Sequence, residues 1–195
     1  MSEGGAGEAS LPCPAPGFAI RTVAVIGAGR VGRSFALACA AAGFEVVLED
    51  VMPANLRRAQ EEYAELGPVG GLRVALTVED AVREADVVVD FVPDELESKL
   101  EIFCLADRMA PPKTVILTPS DVLSITDLAS CTYRGDRCFA VRGGLGDGVL
   151  VYPVGADEGV LGAVSGFLRA LYGDVQVEED QVAPMLVKNQ AARAC

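Results

Sequence analysis

The chain has 195 residues, enough for one good-sized domain or one domain with a small appendage, and at 51% hydrophobic residues it has ample material for a core. A net charge of −12 argues against nucleic acid and anionic membrane surfaces as partners and favours solubility. Histidine is absent and the six cysteines (13, 39, 104, 131, 138 and 195) lack any C-x-x-C spacing, so neither a metal site nor a disulfide framework is expected.

Residues 1–18 are rich in Gly, Pro, Ser and Ala and hold no Lys or Arg, which reads as a disordered tail without the apolar core of a signal peptide. No later stretch approaches the roughly 20 uninterrupted apolar residues that a membrane span needs. A soluble, cytoplasmic protein is the expectation. Strand-like runs follow at 22–26, 45–49, 73–76, 86–92, 114–118, 138–141, 149–154 and 175–177, with helical patterns between most of them.

The first strand leads into Gly27-Ala28-Gly29-Arg30-Val31-Gly32, and this G-x-G-x-x-G opens the Ala-rich helical pattern of residues 34–42, stopped by Gly43. Strand, glycine loop and helix in that order form a phosphate site. Gly27 permits the tight turn, Gly29 lets the backbone approach a pyrophosphate, and Gly32 lets helix and strand pack closely. The free amides and helix dipole would then hold the anion. After the second strand comes Asp50, 23 residues beyond Gly27, where a carboxylate accepts ribose hydroxyls and repels a 2′-phosphate. Its neighbour Glu49 would point to the opposite face if the strand continues that far. No Arg or Lys appears until Arg57, so the cofactor is expected to be NAD rather than NADP.

Pro53 suits the first turn of a helix reaching Leu66, and Gly67-Pro68-Val69-Gly70-Gly71 reads as a simple turn. Thr77 reads as an N-cap with Glu79 and Asp80 behind it, Asp94 as the cap of a helix over 95–109, and Ser124 as the cap of a short helix to Ala129. Cys39 and Cys104 fall in apolar helical patterns and read as core fillers. The run Val87-Val88-Val89 implies a strand covered on both faces, so the fold class is α/β, a doubly wound, mostly parallel sheet. Four glycines between 143 and 148 mark a loop.

From about Arg21 onward the sequence resembles the NAD-binding domain of the 3-hydroxyacyl-CoA dehydrogenase family. That family's E-A-x-x-E-x-x-x-x-K segment reads here as Asp90-Phe91-Val92-Pro93-Asp94-Glu95-Leu96-Glu97-Ser98-Lys99, with Asp twice in place of Glu. Residues 110–118 and 123–129 resemble its fifth strand and following helix, and Pro184-Met185-Leu186-Val187-Lys188-Asn189-Gln190 resembles the P-G-F-V-x-N-R segment opening its C-terminal helical domain. The resemblance implies a Rossmann-like domain over 19–183, a remnant of the helical domain over 184–195 with the rest missing, and Asp50, Asp94 and Lys99 in cofactor-contacting positions. Read from the residues alone, Lys99 is a solvated helix charge paired with Glu95 at i, i+4.

The family's H-F-F-N-P segment, which carries the proton-transferring His, reads here as Arg142-Gly143-Gly144-Leu145-Gly146, and its orienting Glu aligns near Val154. Arg cannot shuttle protons near neutrality. The family's N-T-S-S segment becomes Pro119-Ser120-Asp121-Val122, and the connection from Asp50 to Thr77 lacks the helical hairpin that grips coenzyme A. The expected function is therefore a stand-alone NAD(H)-binding protein, inactive alone on hydroxyacyl-CoA. Two alternatives stand beside it. One is an oxidoreductase on another small hydroxy substrate, with Asp121 and Arg142 as weak catalytic candidates. The other is a redox-sensing or subunit protein whose face, uncovered by a helical domain, meets a partner or a second copy.

Overall fold

A computed structural model describes residues 18–67, 70–144, 146 and 148–181. Strands β1 (Thr22–Ile26), β2 (Glu45–Glu49), β3 (Leu72–Ala75), β4 (Val87–Asp90), β5 (Val115–Pro119), β6 (Cys138–Arg142), β7 (Val149–Tyr152) and β8 (Gln176–Glu179) form one sheet in the order β3-β2-β1-β4-β5-β6-β7-β8. Every neighbouring pair is parallel except β6 and β7. The expected doubly wound architecture is present. β1 lies between β2 and β4, and this reversal of winding direction opens a crevice at the carboxyl edge.

The central strands are apolar on both faces because both faces are covered. In β1, Val23 and Val25 join one core while Ala24 and Ile26 join the other, following the two-residue alternation of a strand. Helices α1 (Arg30–Ala41), α2 (Pro53–Leu66) and α6 (Glu158–Tyr172) cover the first face, with Phe35, Leu56, Phe167 and Leu168 buried there. Helices α3 (Val78–Val82), α4 (Leu96–Met109) and α5 (Ile125–Ser130) cover the second through Val82, Phe103 and Leu128. Each large side chain buried this way contributes about 2 kcal/mol of hydrophobic stabilisation.

Thr77 and Ser124 cap α3 and α5 as their sequence positions predict, accepting from the Asp80 and Asp127 amides. Asp94 does not cap α4: Glu95 occupies that position without a side-chain cap bond, and the Asp94 carboxylate instead accepts from the Asp121 amide at 3.0 Å. Cys39 is fully buried, and burial pushes its thiol far up, whereas Cys104 lies on the exposed side of α4 and fills no core. No sequence pattern singles out α6, whose Gly159, Gly162 and Gly166 lower its helical propensity. Tertiary packing overrides that weakness, with the Phe167 ring edge-on to Phe35 and Phe44.

Phe18, the last residue of the expected tail, packs against the first core; residues 1–17, 68–69, 145, 147 and 182–195 lie outside the described residues. Among the described residues no helix is long and apolar enough to cross a membrane, and no His/Cys/Asp/Glu group could hold a metal ion.

Candidate functional site at the sheet crossover

The three loop glycines occupy three different environments. Gly27 adopts φ +96°, open to glycine and strained for other residues, and its amide donates to the Glu49 carbonyl at 2.8 Å. A Cβ at Gly32 would overlap the Gly27 carbonyl oxygen and press on the Phe91 side chain at 3.1 Å. A Cβ at Gly29 would meet nothing within 4 Å. Two glycines fix the loop, and the third faces open space.

Gly29 is the N-cap of α1, and its carbonyl accepts from the Arg33 amide at 2.9 Å. The amides of Arg30, Val31 and Gly32 in the first turn therefore have no intrahelical acceptor, and no acidic side chain occupies that turn. Ala28 is fully buried, and its amide is directed away to Asp50.

Asp50 follows directly on β2. Its Oδ2 accepts from the Ala28 amide at 2.7 Å and Asn55 Nδ2 at 3.1 Å, and its Oδ1 accepts from the Met52 amide at 2.6 Å. A carboxylate has about four lone-pair directions, so these bonds orient Asp50 without exhausting it. β2 runs through Glu49, and Glu49 and Asp50 both line one cleft, Asp50 turning its carboxylate to the Ala28 amide and Asn55. Burial, followed by the Asp50 charge, raises the Glu49 pKa above the usual carboxylate range.

This cleft has a volume of about 470 Å³, in the range of small-molecule sites. Gly27, Gly29, Asp50, Phe91, Ile102 and Leu105 are among its walls.

Neither Asp94 nor Lys99 lines it. Lys99 is 1% exposed and its Nζ lies 3.2 Å from Asp90 Oδ1, so the expected solvated pair with Glu95 does not form. Asp90 is fully buried and also accepts from Thr118 Oγ1 at 2.8 Å and from the Val92 amide at 3.0 Å. Burial raises the Asp90 pKa despite the opposing Lys99 charge and these hydrogen bonds.

Asp121 and Arg142 do not pair with each other. Arg142 Nη2 reaches Asp180 Oδ1 at 2.9 Å and the Leu123 carbonyl at 3.2 Å, while Asp121 Oδ1 accepts from the Gly143 amide at 2.8 Å. Asp180 wins Arg142 because it is already held rigidly, its Oδ2 accepting from Ser124 Oγ and the Thr126 amide at 2.7 and 2.9 Å. Asp180 lies 38 residues from Arg142, so no local pattern announces it. Glu49 as a cleft residue had a sequence signal, a charge ending the otherwise apolar run Val46-Val47-Leu48.

Residues 22–142 match the family model described as 3-hydroxyacyl-CoA dehydrogenase, NAD binding domain. A probable 3-hydroxybutyryl-CoA dehydrogenase of Bacillus subtilis is 31% identical over 139 residues, 63% of this chain and 48% of that protein. An L-carnitine dehydrogenase of Nocardiopsis dassonvillei is 32% identical over 122 residues, 56% of this chain and 37% of that protein. The chain spans about half or less of the length of these relatives. The solved (S)-3-hydroxybutyryl-CoA dehydrogenase of Ralstonia eutropha superposes with a TM-score of 0.74 at 20% identity, over 84% of this chain and 65% of that one, a likeness of fold. Glycine loop, Asp50 and family match agree, and the chain belongs to the 3-hydroxyacyl-CoA dehydrogenase family through its NAD-binding domain.

Proposed function

We propose that this chain binds NAD(H) and that its own residues do not carry out the hydride transfer of a hydroxyacyl-CoA dehydrogenase. The observation carrying the first half is the open space at Gly29 beside the unpaired first-turn amides of α1 and the oriented Asp50 carboxylate. In this reading the amides of Arg30, Val31 and Gly32 receive the pyrophosphate, and Asp50 accepts the ribose hydroxyls and rejects a 2′-phosphate. Bound NAD would supply a hydride acceptor, and NADH a hydride donor.

The second half rests on Arg142, which by the family resemblance takes the place of the proton-transferring His. A guanidinium held by Asp180 stays protonated and cannot act as a base. Asp121 and Arg142 are each bound to other groups, so the arrangement does not favour them as a substitute catalytic pair. Lys99 is assigned to holding Asp90 and the end of β4 rather than to touching the cofactor. A cytoplasmic setting belongs to the same reading.

Titration calorimetry with NADH tests the first half, with saturable binding of one equivalent below millimolar concentration as the expected result. Absence of binding at millimolar NADH overturns it. Incubation with NAD and 3-hydroxybutyryl-CoA tests the second half, and NADH formation above background would overturn that.

A further inference from the structure

Among the acids of the cleft, Glu49 differs from its neighbours. The Asp50 carboxylate is held by three hydrogen bonds, and Glu101 is exposed on α4. Glu49 is 5% exposed, and no described residue gives its carboxyl a hydrogen bond or an ion pair. Among the described residues only Arg142 Nε is a fully buried side-chain atom without a partner, so the Glu49 oxygens retain an opening, and an unpaired acceptor there is available to a bound donor. Glu49 is among the residues lining the cleft, with Val78, Ile102 and Leu105.

Geometry limits what can reach it. In NAD the base is attached to the ribose at the opposite end from the 5′-phosphate. With pyrophosphate at the start of α1 and that ribose on Asp50, the base is directed away from α1, toward the apolar wall of α3 and α4. Val78, Ile102 and Leu105 offer that wall to a flat ring, and Glu49 is a polar group at its side.

Resting on the NAD(H) reading, we propose that Glu49 reads the adenine base, its carboxyl oxygen accepting a hydrogen bond from the exocyclic 6-amino group. An oxygen of the carboxyl remains an acceptor in either protonation state, so the raised pKa does not remove the contact. A base carrying a carbonyl at position 6 would oppose acceptor to acceptor there. Glu49 thereby makes the site selective for adenine, whereas Asp50 selects the unphosphorylated ribose.

The test measures NADH affinity by fluorescence for the wild-type chain, Glu49→Val and Glu49→Gln. Displacement of NADH by AMP is then compared with displacement by purine ribonucleoside 5′-monophosphate, which has hydrogen in place of the amino group. Expected are about tenfold weaker NADH binding in Glu49→Val, a smaller loss in Glu49→Gln, whose amide oxygen still accepts, and about a tenfold wild-type preference for AMP. That preference should vanish in Glu49→Val. Equal displacement by both nucleotides in the wild-type protein overturns the proposal even if Glu49→Val fails to fold. If wild-type protein binds NADH while showing no preference, NAD(H) binding stands and the role of Glu49 falls. If it binds no NADH, both fall.

Discussion

At the β1–β2 half of the sheet's carboxyl edge, polar groups keep unused hydrogen-bonding capacity: three first-turn amides without an intrahelical acceptor, an Asp50 with spare acceptor capacity and a Glu49 with no partner among the described residues. At the β5–β6–β8 half, they face one another. Asp94 accepts from the Asp121 amide, Asp121 from the Gly143 amide, and Asp180 from Arg142, Ser124 and Thr126. Both halves bear acids at strand ends, so composition does not separate them. The difference is whether hydrogen-bonding capacity is consumed within the fold or left for a ligand.

The sharpest break in that comparison comes from between the halves, at the Lys99–Asp90 pair. Lys99→Met strands a fully buried carboxylate and should cost about 3–5 kcal/mol in urea denaturation, whereas the double change with Asp90→Val should recover most of it. A loss in the double variant as large as in the single would show that packing, not charge, dominates there.

Asp180→Ala should destabilise by about 2 kcal/mol, a figure discounted because the Arg142 side chain is 22% exposed. NADH affinity should stay unchanged, since a network closed on itself has no share in binding. Weaker NADH binding in a folded Asp180→Ala protein would join the two halves that the comparison separates.

Asp50→Ala should reverse that pattern, lowering NADH affinity at least tenfold and narrowing the preference over NADPH, as read by calorimetry. Little change in urea stability is expected beyond about 1 kcal/mol for the freed Ala28 and Met52 amides.

The smallest effect concerns pH. Because burial raises the folded-state pKa of Glu49 above its ordinary 4.5, its ionised form costs the native protein stability, a cost relieved by proton uptake as pH falls through the raised value. Glu49→Gln should therefore melt about 2 °C higher than wild type at neutral pH, with the gap closing as the solution is acidified through that value. A gap that widens on acidification would contradict the sign.

Local chemistry explains what the sequence made legible. The glycine loop, the Thr77 and Ser124 caps and the doubly apolar strands are all written within a few consecutive residues. Lys99 was hidden because a lysine four residues after a glutamate on a helix ordinarily stays in water, and nothing local says that Asp90 draws it inward. The Arg142–Asp180 pair was hidden by separation along the chain, and α6 by its glycines. In the candidate site, the loop and Asp50 could be read directly. The company Glu49 keeps in the cleft, Val78, Ile102 and Leu105, comes from α3 and α4 far along the chain, so no local pattern announces it.

Phe91 carries a consequence for the timing of binding. Its backbone and side chain back both Gly27 and Gly32, and its ring lies 5.3 Å from that of Phe35 on α1. A loop braced in this way holds its shape before any dinucleotide arrives, so little ordering entropy opposes capture. Residence time then depends on how fast the brace yields. A smaller residue at position 91 should shorten it by speeding dissociation, with the association rate nearly constant.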